Sequence, residues 1–278
     1  MPTPPEAHPA APLLGVARRT AIRLGWTSSS YAIIGCIAGV LLLVTLFWWP
    51  LVLEYFAQWD WSRSFLAQVD WLLLFNFGVM FLLVMARANL RADAPVLLVG
   101  LAGGTLVESW GTRTHLWTYY THESPPLWIL PAWPIATLAI DRLSAELLRR
   151  TDRWSARVFD LAYWPIFMGF LGLLLGFVGP TLEQPLSVLA VAVLLVLVFT
   201  PQDRRTTVLV FLAGSGLGYF LERWGTTREC WVYYTGQTPP LFAVLAHGMA
   251  AVTFWRATRF VRAFRLPLGL RRMASASD

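Results

Sequence analysis

One stretch of the chain occurs twice, and this repetition constrains the fold more than any other feature. The first copy, residues 108–128, reads ESWGTRTHLWTYYTHESPPLW, and the second, residues 222–242, reads ERWGTTRECWVYYTGQTPPLF. Eleven of the 21 positions are identical at a constant offset of 114 residues, with no gap. Unrelated segments of this composition would share roughly one or two positions. The chain therefore contains an internal duplication, whose two halves we expect to fold alike.

The composition indicates an integral membrane protein. Of the 278 residues, 56% are hydrophobic and only 14% are charged, whereas soluble domains carry about 25% charged residues. Several nearly uncharged segments approach the ~20 residues that a helix needs to cross a bilayer. We predict eight transmembrane helices, at about residues 30–53, 70–88, 94–110, 127–148, 158–178, 185–200, 207–224 and 241–262.

The repeat offset organises these eight helices. It maps helices two, three and four onto helices six, seven and eight. Four helices per repeat is an even number, so the two halves share one orientation in the membrane. We predict an all-α integral membrane fold with two parallel four-helix repeats, residues 30–150 and 151–264, related by a pseudo-twofold axis along the membrane normal. Residues 1–29 are expected to form a disordered, then amphipathic tail, and residues 265–278 a cytoplasmic tail.

The arginines predict the orientation. All 22 basic residues are arginine, and 18 of them lie on the side of the membrane that holds both termini. The other four are Arg63, Arg113, Arg223 and Arg228. By the positive-inside rule, both termini lie in the cytoplasm of a bacterial or archaeal cell, and both copies of the repeated loop face outward. The excess of basic charge is thus explained by topology and by contact with anionic lipid, and no nucleic-acid partner is expected.

Each repeated loop follows a helix with two glycines and a glutamate at spacings of four. The two sets are Gly100, Gly104 and Glu108, and Gly214, Gly218 and Glu222. Residues four apart share one face of a helix, and small residues let helices approach closely in lipid. We predict that helices three and seven meet through these glycines near the axis, with both glutamates in one central cavity. Gly111 and Gly225 are expected to end the two helices.

The glutamates are the candidate catalytic groups. An ionisable side chain within the membrane indicates a functional site by default, and a buried carboxyl group beside a second one can keep its proton and act as a general acid. The alternative is that each glutamate pairs with Arg113, Arg223 or Arg228 and only anchors its loop. His247, in helix eight, is a candidate base partner of Glu222 or else a packing residue.

Aromatic residues surround both glutamates and are the candidate ligand-binding residues. Aromatic rings stabilise a cation through their negative faces without attacking it. An acid within aromatic walls is what protonation of an alkene to a carbocation requires. The alternative is an ordinary aromatic belt at the membrane interface. The candidates are Trp110, Trp117, Tyr119, Tyr120, Trp128, Trp133, Trp224, Trp231, Tyr233 and Tyr234.

The sequence gives no sign of a metal or an organic cofactor. The four histidines and two cysteines show no metal-ligand spacing. The absence of lysine excludes a lysine Schiff base. We therefore expect the site to contain no metal and to use no cofactor.

The first copy also resembles a known family. Its Glu-x-x-Gly, its aromatic-x-Tyr and its proline-led helix with Trp133 resemble the membrane carotenoid-biosynthesis family that contains the carotenoid 1,2-hydratases, of the bisanhydrobacterioruberin hydratase type. The resemblance covers about residues 100–142 and, more weakly, 214–256. The tandem organisation is similar to that of the membrane lycopene cyclases, although their Pro-x-Glu-Glu and Phe-Phe-x-x-Gln signatures are missing from the sequence.

This resemblance implies a function. Both groups hydrate or cyclise the end of a C40 polyene without a redox cofactor, so Glu108 and Glu222 would be the acids and the loop tyrosines would line the polyene end. The leading hypothesis is an enzyme that protonates a C=C bond of a carotenoid or isoprenoid. The alternatives are a proton-coupled transporter of lipids or small molecules, and a pigment- or lipid-binding structural subunit of a membrane complex. The expected partners are the bilayer and a long apolar ligand, and the chain could form a homo-oligomer.

Overall fold

A computed structural model describes the backbone of residues 19–274 and the side chains up to residue 264. Most of the expected N-terminal tail and the end of the C-terminal tail lie outside the described residues. The helices are α1 (Ser28–Phe47), α2 (Trp49–Ala57), α3 (Phe65–Gln68), α4 (Trp71–Met85), α5 (Leu90–Arg113), α6 (Ala132–Arg150), α7 (Ala156–Val178), α8 (Pro185–Phe199), α9 (Arg204–Thr227) and α10 (Leu241–Ala274). Two short strands are β1 (Trp117–Tyr119) and β2 (Trp231–Tyr233).

The structure is dominated by helices that suit a membrane. Four of them are long and apolar enough to cross one: α1, α5, the stretch Ala156–Thr181 and the stretch Leu241–Phe264 of α10. The helices α4 and α8 are apolar but shorter, at 15 residues each. The chain is thus an all-α protein of membrane type.

The first and fourth predicted segments differ from the observed helices in ways that proline explains. The first predicted segment is divided at Trp48, because Pro50 falls in the first turn of a new helix, where its missing N–H does least harm. The fourth begins at Ala132 instead of residue 127. An earlier start would place Pro131 and Pro134 in the helix interior, where each would remove a hydrogen bond and clash with the preceding turn.

The helices α5, α6, α9 and α10 form the centre of the bundle. Within each half, α5 packs on α6 and α9 packs on α10; between the halves, α6 packs on α9 and α5 on α10. The helix α4 packs against α6 and α9, and α7 against α9 and α10. The helix α1 lies at the periphery, because only 11% of its 18-residue apolar segment is buried by the rest of the protein.

The glycine-rich faces have a different partner from the predicted one. A Cβ atom at Gly100 would lie 2.7 Å from Thr137 Oγ1 of α6, and one at Gly214 would lie 2.8 Å from the Cβ of Ala251 of α10. The prediction that helices three and seven meet through their glycines is therefore wrong. Each glycine face receives the next helix of its own half, whose side chains fill the space that the glycines leave.

Candidate active site

The two repeated loops join each other in a short β-ribbon. β1 and β2 pair antiparallel, with Thr118 opposite Val232, and these two residues are equivalent positions of the repeat. On either side, Trp117 pairs with Tyr233, and Tyr119 with Trp231. Side chains alternate between the faces of a strand, so these four rings are buried against the helices while Thr118 and Val232 are exposed. The ribbon therefore closes one end of the bundle, which we call the ribbon end.

The turns before and after each strand also match. Left-handed backbone occurs at His115 and Glu229, with φ of 57° and 52°, and again at His122 and Gly236, with φ of 57° and 65°. Each pair is separated by the repeat offset of 114 residues. His115 and His122 are exposed and do not line the cavity described below, so the histidines that distinguish the first loop occupy turn positions.

Glu108, near the end of α5, is 4% exposed and is held by indole groups. Trp117 of β1 donates its Nε1–H to Oε2 at 3.0 Å, and Trp133 of α6 donates its Nε1–H to Oε1 at 3.0 Å. The hydroxyl of Tyr119 lies beside the same carboxylate. Both oxygens of this buried carboxylate thus have partners.

Glu222, near the end of α9, is 3% exposed and has a similar set of partners with one substitution. Trp231 Nε1 donates to Oε2 at 3.0 Å, and the hydroxyl of Tyr233 donates to Oε1 at 2.8 Å. The third partner is His247 of α10, whose Nε2 lies 2.9 Å from Oε1. His247 occupies the repeat position of Trp133, and the two rings stack with centroids 5.8 Å apart and planes inclined by 18°.

Glycines on both sides of each glutamate make room for the donors. A Cβ atom at Gly111 or Gly225 would lie 1.9 or 2.0 Å from the ring of Trp117 or Trp231. One at Gly104 or Gly218 would lie 2.1 or 2.4 Å from Trp133 or His247.

The expectation that Gly111 and Gly225 end their helices is therefore wrong. The helix α5 continues to Arg113 and α9 to Thr227. These glycines let the indole of the same loop fold back to the carboxylate, which explains the spacing Glu-x-x-Gly in the repeat.

The outer arginines do not neutralise the glutamates. Arg223 donates to the carbonyl of Thr238, and Arg228 pairs with Asp70 at 2.9 Å. Among the described residues, no ion pair joins either glutamate to an arginine. Burial, reinforced by the neighbouring carboxylates, raises the pKa of the Tyr119 and Tyr233 hydroxyls well above the usual value, so both phenols remain protonated.

The two carboxylates lie on the wall of one cavity of about 590 Å³. The cavity follows α10 from Phe242 to Thr258, about 24 Å at ~1.5 Å per helical residue. Its wall is otherwise mainly apolar. The predicted site residues that line it are Glu108, Trp110, Trp117, Tyr119, Trp133, Glu222, Trp224, Trp231, Tyr233 and His247.

The other three predicted aromatic residues lie outside this cavity. Tyr120 and Tyr234 are half exposed, and the hydroxyl of Tyr234 donates to the carbonyl of Phe177 at 2.7 Å. Trp128 packs edge-on against Tyr119 and donates to Thr121. They support the ribbon from outside, so they are not ligand-binding residues of this cavity.

Two polar residues position aromatic side chains of the cavity wall, and neither of these contacts was predicted from the sequence. Ser187 of α8 accepts the indole N–H of Trp110 at 3.1 Å, and Asp70, which caps α4, accepts that of Trp224 at 2.9 Å. These partners are 77 and 154 residues apart in the chain, and neither spacing belongs to a local pattern.

Comparison with protein-family models, with curated proteins and with solved structures finds no match for this chain. Among the described residues, no group of three or more His, Cys, Asp or Glu side chains could together hold a metal ion. The function is therefore argued from the geometry of the cavity itself.

Proposed function

We propose that this chain is an integral-membrane enzyme of carotenoid or isoprenoid metabolism, which protonates a C=C bond of a long apolar substrate and then adds water or closes a ring. The observation that carries the proposal is the presence of two buried carboxyl groups on the wall of one long, mainly apolar cavity. Such an arrangement places an acid beside a substrate that has no polar group of its own.

The shape of the cavity supports a lipid-soluble substrate. It is long and narrow, and its volume lies in the range of small-molecule sites. Several lining side chains are largely exposed, among them Leu106 of α5 at 72% and Leu189 of α8 at 60%. A side opening between α5 and α8 would admit a long apolar substrate from the hydrocarbon core of the bilayer. The ribbon covers the ribbon end of the cavity.

The chemistry needs a proton and, for hydration, one water molecule. The proton passes to one alkene carbon, and the π electron pair forms the new C–H bond. The adjacent carbon becomes a cation, which the surrounding aromatic faces and a carboxylate stabilise. Water then forms a C–O bond and returns a proton to the site. In cyclisation a second C=C bond attacks the cation instead, and a neighbouring carbon loses the proton.

The proposal includes the complete predicted topology, with eight membrane-spanning helices in two parallel repeats and cytoplasmic termini. It is supported by the ribbon, in which equivalent residues of the two loops face each other as a twofold axis requires. It is supported also by the equal Trp–Glu distances of 3.0 Å in the two halves.

The test is pigment analysis. The chain is expressed in a bacterial host that accumulates acyclic carotenoids such as lycopene, and the pigments are extracted and separated by liquid chromatography with mass spectrometry. We expect a product heavier by one water, or an isomer of equal mass. We expect Glu108→Gln and Glu222→Gln each to lower its yield by about 10²–10⁴-fold, the range for loss of a general acid or of a group that stabilises developing charge.

The matched control is Glu183→Gln, which changes an exposed glutamate near the start of α8. It should leave the product yield unchanged. Unchanged pigments with the wild-type chain would refute the proposed activity on this class of substrate.

A proton-coupled carrier is the second candidate, and one observation favours it. The cavity reaches Asp141 and Ser144, well along α6 from the ribbon end. It thus extends towards both ends of the bundle. Proton-driven uptake of a carotenoid or another apolar solute into vesicles, lost in Glu222→Gln and without chemical change of the solute, would favour the carrier. A pigment that copurifies at fixed stoichiometry without turnover would instead indicate a binding subunit.

A further inference from the structure

We infer that the two glutamates have different roles: Glu222 and His247 together deliver the proton, while Glu108 remains a carboxylate that stabilises the positive charge. This inference rests on the proposed function and assigns its steps to individual groups. It starts from a position at which the repeat places different chemical groups beside the two glutamates, Trp133 in the first half and His247 in the second.

The partners of Glu108 favour its ionised form. An indole N–H can only donate, and one indole donates to each of the two oxygens, at 3.0 Å in both cases. The Tyr119 hydroxyl lies nearby. A carboxylate accepts from both indoles, whereas a protonated carboxyl group would lose one of these two hydrogen bonds, because an indole N–H offers no acceptor to its O–H. Neither of the two indoles that donate to Glu108 can take or return a proton.

The partners of Glu222 include one that can exchange a proton. Imidazole is a donor, an acceptor or a cation according to its protonation. The 2.9 Å separation between His247 Nε2 and Glu222 Oε1 is an ordinary hydrogen-bond distance, along which a proton can pass from one group to the other. Trp231 and Tyr233 still hold the carboxylate when that proton leaves. The pair can thus lose and regain a proton without losing its geometry.

The stacked rings link the two halves of the site. The ring of His247 lies over that of Trp133, and the negative face of an indole stabilises a cationic imidazole. The N–H of Trp133 in turn donates to Glu108. The contacts from Glu108 through Trp133 and His247 to Glu222 place the imidazole ring between two carboxyl groups, where a positive charge that forms on it during the reaction would be stabilised.

The reaction then proceeds as follows. The proton held between Glu222 and His247 passes to the alkene carbon, and the pair is left as a carboxylate and a neutral imidazole. The cation forms on the adjacent carbon, near the carboxylate of Glu108. Water adds through an oxygen lone pair and gives one proton back to the pair, which restores its starting state. In ring closure, the proton lost from carbon returns to the same pair.

Exchange of the two differing residues tests this assignment. His247→Trp gives the second half the partners of the first, and we expect it to lower carotenoid conversion by about 10²–10⁴-fold. Adding Trp133→His to that variant provides an imidazole beside Glu108 instead. We expect the double variant to be at least about tenfold more active than His247→Trp, because the same loop tryptophan and tyrosine lie beside the glutamate in each half. The control Trp154→His, at an exposed tryptophan outside the cavity, should not change conversion.

A double variant that is no more active than His247→Trp, although both fold equally well by thermal denaturation, would overturn the assignment. A purely packing role of His247 predicts that result, because the exchange would leave both rings misfitted.

Infrared spectroscopy gives a readout that does not depend on turnover. At neutral pH we expect the C=O band of protonated carboxyl groups to be the same in the wild type and in Glu108→Gln, because Glu108 is ionised. Loss of intensity from that band in Glu108→Gln would contradict the inference. If the wild-type chain leaves all carotenoids unchanged, the proposed function is refuted, but this comparison still decides whether Glu108 is the fixed anion.

Discussion

The glycines beside each glutamate show how single residues determine this site. A carboxylate buried in an apolar environment costs several kcal/mol unless donors reach it. Here the donors are large rings that approach the helix backbone from two directions. Gly111 admits Trp117, and Gly104 admits Trp133, at positions where any Cβ atom would overlap the ring. The glycines therefore act through the packing of their neighbours, and their conformational freedom plays no part.

The first prediction concerns these glycines. Gly111→Ala and Gly225→Ala place a methyl group within about 2 Å of an indole ring, so the ring must move and its bond to the glutamate must lengthen. We expect a loss of about 1–3 kcal/mol in stability, as for other overpacked cores. The measurement is the midpoint of thermal denaturation in detergent, followed by tryptophan fluorescence.

The control for this prediction is Gly172→Ala in α7, where an added Cβ meets nothing within 4 Å. Since alanine favours a helix over glycine by up to about 1 kcal/mol, this variant should be as stable as the wild type or slightly more so. Equal stability of Gly111→Ala and Gly172→Ala would show that the rings do not need the space.

The sequence identified the two glutamates but not what holds them. The repeat marked Glu108 and Glu222, because it preserves both within an apolar helix. Their donors could not be assigned, since a tryptophan in an interfacial loop is as typical of a membrane belt as of a binding site. The distinction depends on whether the ring turns inward, which is decided by the glycine below it and by the partner strand.

Among the secondary-structure elements, the ribbon is built from one strand of each half. Each loop contributes a single strand of three residues, which is too short to be stable alone. The alternation Trp-x-Tyr in both copies has the period of two of a strand with one buried face. That pattern was present in the sequence, but its partner strand lies more than a hundred residues away, and pairing at such a distance has no local signature.

The second prediction tests the register of the ribbon. In a background with Cys36→Ser and Cys230→Ser, Thr118→Cys and Val232→Cys stand directly opposite each other. Opposed residues of an antiparallel pair have Cβ atoms ~4.5–5.5 Å apart, close to the distance of a disulfide. We expect mild oxidation to form an intramolecular disulfide, detected by mass spectrometry of the digested protein.

The comparison pair is Thr118→Cys with Gln237→Cys, since Gln237 lies in the exposed loop after β2. It should form little disulfide under the same conditions. Equal cross-linking of both pairs would mean that the loops move freely and that the ribbon is not a fixed cover of the cavity.

For the molecule as a whole, the two halves are alike in their centre and unlike at their edges. The contacts of α5 with α6 and of α9 with α10 correspond, but α4 is packed into the bundle by Asn76, whose Nδ2 donates to Phe220 at 3.0 Å. The equivalent position on α8 is Ala190, which lines the cavity. The duplication predicted equal halves, and the difference arises because α8 lacks a polar anchor at this position and leaves space beside α5. The side opening that we propose for the cavity would lie at this asymmetric edge.

The last prediction concerns how the whole bundle lies in the membrane. The distribution of arginines predicts that the ribbon end faces outward and that the loop between α6 and α7 faces the cytoplasm. In the cysteine-free background, Gln237→Cys at the ribbon end should react in intact cells with a membrane-impermeant maleimide. Asp152→Cys, at a side chain that is 82% exposed in the α6–α7 loop, should react only after the membrane is permeabilised.

This labelling pattern bears on the proposed function, because it fixes the side from which water and protons would reach the carboxylates. Glu108 and Glu222 lie near the ribbon end, so an outward ribbon places the acid close to the extracytoplasmic interface, and a substrate that enters from the bilayer would meet it with its terminal C=C bond. The reverse pattern, with Asp152→Cys labelled in intact cells and Gln237→Cys protected, would invert the topology. The site would then open towards the cytoplasmic leaflet, and the arginines would require another explanation.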